Sequence, residues 1–150
     1  MTRIEYYSES PEGLAALRQL ESYLSKCGLD ERLLDLVKTR ASQINGCAYC
    51  LDMHTKDARA GGETEQRLYT LSAWRETPFF SERERAALAW TEHVTRIAES
   101  HDDEAAFEAL QRQFSRKEIV DLTLAIVAIN GWNRLAISFH ASVGSYQPRR

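Results

Sequence analysis

Helix-start signals punctuate this chain from end to end. Ser81-Glu-Arg-Glu84 and Ser115-Arg-Lys-Glu118 both have the capping-box form, in which a serine accepts the backbone N–H three residues on and the glutamate reaches back. Other starts are simpler. Ser10-Pro11 places proline at a first helical position, and Asp30, Thr64 and Asp102 or Asp103 are N-cap residue types. Composition agrees: Ala and Leu total 34, Val and Ile only 12, and Gly and Pro together 10. No repeat, low-complexity tract or linker interrupts the pattern. The expected fold class is therefore all-α, a multi-helix bundle in a single domain over 1–150.

The segments follow from the punctuation. Leu14, Leu17, Leu20 and Leu24 recur at helical spacing before Gly28. A second helix runs from Asp30 to about Asn45, with Leu33, Leu34, Val37, Ala41 and Ile44 on its apolar side. Asn45-Gly46 marks a turn. A third helix spans about Cys47 to Ala60, stopped by Gly61-Gly62, and a short fourth reaches from Thr64 through Ser72. After the break at Thr77-Pro78, helices are expected from Ser81 to about Glu99, from Asp102 or Asp103 to near Phe114, and from Ser115 to about Ser142. Gly131 is a weak point in the last of these, which is apolar around much of its circumference between Leu122 and Ile137. That suits either a central core helix or a buried subunit contact.

Charge and hydropathy exclude several classes. With 19 Lys+Arg against 22 Asp+Glu, the net charge of −3 offers no basic excess to neutralise phosphates, so nucleic acid is not an expected partner. A hydrophobic share of 43% argues against disorder. The first twenty residues lack an apolar signal core. The most apolar run, Leu122 to Trp132, is shorter than the ~20 residues of a membrane span. A cytoplasmic protein is expected. Three cysteines in such a chain are not a disulfide framework; a close pair there serves redox chemistry or metal binding.

That pair is Cys47 and Cys50, followed by His54. On a helix the spacings of three and four put all three on one stripe, beginning at a helix N-terminus. Free N–H groups and the helix dipole favour negative charge there. An ordinary thiol is only about 3% thiolate at pH 7, whereas lowering its pKa to ~6.5 makes it roughly three-quarters thiolate. Asp35 precedes Gly46 by eleven residues and His54 follows it by eight. In an antiparallel helix hairpin they lie roughly 16 and 12 Å from the turn. Asp35, Thr39 and Ser42 form a polar stripe that can face the cysteine helix, and a carboxylate there can orient His54 and exchange a proton with it.

Spacing alone leaves two chemistries open. Cys47, Cys50 and His54 could supply three ligands to zinc, but a structural site takes four and no second Cys/His pair exists. The alternative is thiol–disulfide chemistry. Cys27 has no partner motif and reads as a small buried hydrophobe. His93, His101 and His140 stand alone as surface or core residues, and Trp74, Trp90 and Trp132 read as core rather than as a substrate cage.

The pattern Asp35-x11-Cys47-x2-Cys50-x3-His54 resembles the alkylhydroperoxidase D-like core of the carboxymuconolactone decarboxylase superfamily, whose usual form is Glu-x11-Cys-x2-Cys-x3-His. The runs Ser42-Gln-Ile-Asn-Gly-Cys-Ala-Tyr-Cys-Leu-Asp-Met-His54, Ala73-Trp-Arg-Glu-Thr-Pro78 and Asn130-Gly-Trp-Asn-Arg-Leu135 are similar to members of that family. The resemblance implies a homo-oligomer, often a trimer or hexamer, and a thiol-dependent peroxidase acting in antioxidant defence. Its substrate is a small-molecule hydroperoxide and its reductant an external dithiol or protein. It implies Cys50 as the attacking cysteine, Cys47 as the resolving one, and His54 with Asp35 as proton relay, with no metal and no bound cofactor. Decarboxylase members lack the cysteine pair. Two positions depart from the usual pattern: Asp35 is one methylene shorter than glutamate, and Tyr49 stands where the best-known members have histidine. The other readings are a redox-sensing or structural oligomer with little turnover, and the zinc site.

Physical arguments weigh on the choice of nucleophile. Cys47 lies nearer the helix N-terminus, but both cysteines share a dipole effect of only ~0.3–1 kcal/mol. Cys50 lies one turn before His54, and acid–base help typically contributes ~10²–10⁴-fold in rate. The second effect is larger and favours Cys50.

Overall fold

Side-chain caps open most of the helices. Asp30, Thr64, Ser81, Asp103 and Ser115 each accept a backbone N–H from the first turn that follows. The computed structural model describes residues 1–148. Its helices are α1 (Tyr6–Glu9), α2 (Pro11–Leu24), α3 (Glu31–Asn45), α4 (Ala48–Ala60), α5 (Glu65–Thr70), α6 (Glu82–Thr95), α7 (Glu104–Gln113) and α8 (Arg116–Phe139). A 3₁₀ segment, Leu71–Glu76, extends α5, and no strand occurs among the described residues. The all-α expectation is met.

Several boundaries differ from the sequence reading. The capping box at Ser115 is complete, whereas at Ser81 only the serine half is capping geometry. The Glu84 carboxylate there bonds Arg67 and the Ser81 hydroxyl instead of reaching back to the backbone. Helix α6 ends at Thr95 rather than near Glu99, and α8 ends at Phe139, where His140 turns left-handed at φ 54°. Gly131 lies inside an unbroken α8. Helix α1 carries none of the start signals read from the sequence; its Ncap, Glu5, makes no side-chain cap.

Helix α3 packs against α4, α6 and α8 and is the organising element. One core surrounds Leu33, Leu34, Val37, Leu110, Leu122 and Ile126. Another joins Leu36 to Leu71, Trp74, Phe80 and Leu88. A third gathers Ala41, Ile129 and Ala136 around the buried pair Cys47 and Cys50. Helix α8 is long and apolar enough to cross a membrane by length and composition. In the bundle its Leu122, Ala125, Ile126 and Ile129 are fully buried, while Val120 and Val127 stay exposed on another face.

Polar bonds lock these layers. Arg40 of α3 and Glu92 of α6 form a buried ion pair at 2.9 Å, and the Trp74 indole and Arg75 also donate to Glu92. Burial opposes ionisation of Glu92, but the hydrogen bonds from Arg75, Trp74 and Arg40 outweigh it and hold the carboxyl below its ordinary range. At the α3–α8 contact, Asn45 donates to Asn130 and Asn133, and Asn133 donates to Ser42 at 3.1 Å.

Candidate active site

The turn between α3 and α4 sets the site. Asn45-Gly46 closes α3 with Gly46 left-handed at φ 70°, a conformation glycine adopts without strain, and the Cys47 N–H bonds back to Ser42 at 3.0 Å. This folds α4 back along α3. Cys47 becomes the N-cap of α4: its sulfur accepts the Cys50 N–H at 3.3 Å. The helix proper thus begins one residue after Cys47.

Cys47 and Cys50 are joined as a disulfide, with Cα atoms 5.4 Å apart, and both are buried. Cys27 is a free thiol donating to the Leu24 carbonyl at 3.1 Å. Cys50 and His54, one turn apart on α4, line the same cavity of about 280 Å³; Cys47 is not among its lining residues. The cavity walls include Tyr6, Tyr7, Tyr49 and Trp132. Trp132 packs partly against the third core, in keeping with its core reading, and its ring also lines this cavity. Trp74 is buried as expected, and Trp90 packs partly against the main core.

His54 also borders a second cavity of about 290 Å³ that it shares with Asp35, Lys38 and Asp57. The chain thus brings Asp35, Cys47, Cys50 and His54 to one region: His54 lines both the cavity of Cys50 and the cavity of the buried Asp35. The polar stripe on α3 serves more than this region. Thr39 and Ser42 donate to carbonyls of their own helix, and Ser42 accepts from Asn133 of α8.

Burial drives the His54 pKa down to about 3, with the Lys38 cation adding to the effect, so the ring is neutral at pH 7. Lys38 is itself held by Glu21 at 3.2 Å, and Glu21 also accepts from the Trp132 indole at 3.2 Å. Burial likewise raises Tyr6 to about 12, and the neighbouring Tyr7 is raised chiefly by burial too. Both phenols remain hydrogen-bond donors at neutral pH.

Several of these neighbours escaped the sequence reading. Lys38 lies three residues after Asp35 and Asp57 three after His54, the helical spacing that would have flagged them. Tyr6 and Tyr7 had no comparable signal. Among the described residues, no group of three His, Cys, Asp or Glu is placed to hold a metal ion, so Cys47, Cys50 and His54 are not gathered as ligands. His93 is buried against Trp90 near Ser100, while His101 and His140 are exposed.

Residues 9–93 match the model of the carboxymuconolactone decarboxylase family. The chain belongs to that family. It is 42% identical over 136 residues to the uncharacterized protein YdfG of Bacillus subtilis, covering 91% of this chain and 92% of that one. A crystal structure from Agrobacterium tumefaciens, of a protein of unknown function suggested to be the antioxidant defence protein AhpD, superposes with a TM-score of 0.93 at 47% identity. It covers 97% of this chain and 100% of that one. An uncharacterized peroxidase-related protein from a Silicibacter species superposes with a TM-score of 0.81 at 26% identity, covering 93% and 74% of the two chains. The expected alkylhydroperoxidase D-like fold is the fold observed.

Proposed function

We propose that the protein is a thiol-dependent peroxidase that reduces organic hydroperoxides in antioxidant defence. The observation that carries this reading is the Cys47–Cys50 disulfide, with Cys50 and His54 opening onto one cavity. The likeness to the Agrobacterium and Silicibacter proteins supports it.

In the reduced enzyme, neutral His54 accepts the Cys50 thiol proton. The thiolate attacks the distal oxygen of the hydroperoxide, the O–O bond breaks, and the leaving alkoxide takes a proton back from His54. The products are a Cys50 sulfenic acid and an alcohol. The Cys47 thiol then displaces water from the sulfenic acid, giving the observed disulfide. An external dithiol or dithiol protein reduces the disulfide and completes the two-electron cycle. Asp35 steadies the imidazole across the second cavity, directly or through a water. A cytoplasmic setting suits a pair that must be re-reduced each turn.

A proton acceptor works best with a pKa near the operating pH. In the reduced pair the imidazolium and the Cys50 thiolate form together one helical turn apart, and each charge stabilises the other.

The test is hydroperoxide consumption with a dithiol reductant. Wild type should turn over, Cys50→Ser should fall to background, and His54→Ala should lose about 10²-fold or more. Wild-type rates in Cys50→Ser would overturn the assignment.

A further inference from the structure

We infer that the cavity over Cys50 selects compact, uncharged, aryl-substituted hydroperoxides, with Tyr7 and Trp132 as the specificity-determining residues. This deepens the peroxidase reading and rests on it.

Three observations carry the inference. The first is size: at about 280 Å³ the cavity lies just below the ~300–1,000 Å³ typical of ligand pockets. A compact arylalkyl group fills it, whereas a long acyl chain has to run out through its open side. Hydrogen peroxide, little larger than a water with its ~30 Å³ share of the liquid, leaves most of it unfilled.

The second is the wall. The Tyr7 and Trp132 rings lie nearly parallel, 18° apart in plane with centroids 6.2 Å apart. They are braced by neighbours that line the same cavity. Glu21 holds the Trp132 indole, the Arg18 guanidinium sits 5.1 Å from the centre of the Tyr7 ring, and Tyr6 packs on Tyr7 and Phe139. Rings held this way form a preordered aromatic surface on the cavity wall, which a ligand ring can meet at little further entropic cost.

The third is charge. The cations lining the cavity, Lys38 and Arg18, are equalled in number by the carboxylates Glu21 and Asp57, the Arg18 guanidinium lies against the Tyr7 ring, and His54 is neutral. Lys38 is already paired with Glu21. With two cations against two carboxylates, the lining carries no net charge to recruit a carboxylate-bearing substrate, so selection falls to the aromatic surface.

The chemistry is unchanged: Cys50 takes the distal oxygen, the arylalkyl alcohol leaves with one proton, and the dithiol supplies both electrons. The experiment compares kcat/KM for cumene hydroperoxide, tert-butyl hydroperoxide, linoleic acid hydroperoxide and hydrogen peroxide, with dithiothreitol as reductant. Cumene hydroperoxide should lead tert-butyl hydroperoxide by about tenfold, the scale of one well-placed aromatic contact. In Tyr7→Leu and Trp132→Leu that ratio should fall toward one. Binding of cumyl alcohol and tert-butanol to the oxidised protein, followed by NMR, reports the pocket without turnover and also shows that the variants are folded. Cumyl alcohol should bind more tightly, and less so in Tyr7→Leu. Cys50-dependent turnover with an aryl-to-alkyl ratio near one, or with the lipid substrate preferred, would overturn the inference and leave the peroxidase reading standing. Selective binding of cumyl alcohol without hydroperoxide consumption would support the aryl pocket and overturn the peroxidase reading.

Discussion

The Cys47 sulfur accepts the Cys50 backbone N–H at 3.3 Å, so the residue that closes the disulfide also caps the helix carrying its partner. Two roles on one side chain can be separated by substitution. Serine is among the best N-caps, whereas alanine caps poorly and typically costs about 1 kcal/mol. Under reducing conditions Cys47→Ser should keep wild-type stability in urea, and Cys47→Ala should lose about that amount. Both should still consume one equivalent of hydroperoxide and leave a Cys50 sulfenic acid that a trapping reagent captures. Equal stabilities for the two variants would remove the capping role.

His54 gives a pH-dependent signature. Its ordinary pKa is 6.5, and burial beside Lys38 lowers it to about 3 in the folded protein. Between those values the unfolded chain binds a proton that the folded chain does not. The contribution of His54 to stability is therefore intact above pH 6.5 and is lost as pH falls toward 3, by up to about 1.4 kcal/mol per pH unit. Replacing His54 with glutamine removes the titrating group. Urea unfolding of the oxidised proteins at pH 7, 6 and 5 should show wild type losing stability relative to His54→Gln as pH falls. Parallel curves would mean that the folded imidazole protonates normally.

Much of this was legible in the chain, for local reasons. Caps at Asp30, Thr64 and Ser115 act within a few residues, so sequence spacing locates them directly. The Cys47, Cys50 and His54 stripe is equally local, because one helix sets it. Asp35 needed one further step, the Asn45-Gly46 turn that folds α4 back on α3. The aromatic wall was not legible. Tyr7 and Trp132 are 125 positions apart and meet only after α1 settles on the end of α8. The Arg40–Glu92 pair was hidden for the same reason, since nothing local distinguishes a charge that will be buried from one on a solvated helix face.

That ion pair should be strongly coupled. Arg40 and Glu92 side chains are each only 10% exposed, and Glu92 also satisfies the Trp74 indole. Removing the carboxylate strands the buried Arg40 charge, which costs roughly 3–5 kcal/mol. Glu92→Gln should destabilise on that scale, Arg40→Met should cost less because Arg75 and Trp74 still hold Glu92, and the double variant should lose less than the sum of the two. A double-mutant cycle in urea measures the coupling. Additive losses would show that solvent reaches the pair and screens it.

The last prediction concerns assembly. Helix α8 buries Leu122, Ile126 and Ile129 inside the bundle, yet Val120 and Val127, seven residues and two turns apart, remain 59% and 53% exposed on a common face. The partly buried Leu124 lies between them in sequence. We propose that this stripe joins copies of the chain into a homo-oligomer, a trimer or hexamer by family resemblance. Full burial of a valine contributes on the order of 1.5–3 kcal/mol, so a repeated contact of this kind is sensitive to a single charge. Sedimentation velocity at micromolar concentration should show a species several times the 17.1 kDa chain mass. Val127→Lys should shift it toward the monomer while leaving the helical circular dichroism unchanged, because the side chain is exposed within one chain. A wild-type protein that sediments only as monomer would contradict the assembly, and an oligomer indifferent to Val127→Lys would place its interface on another face.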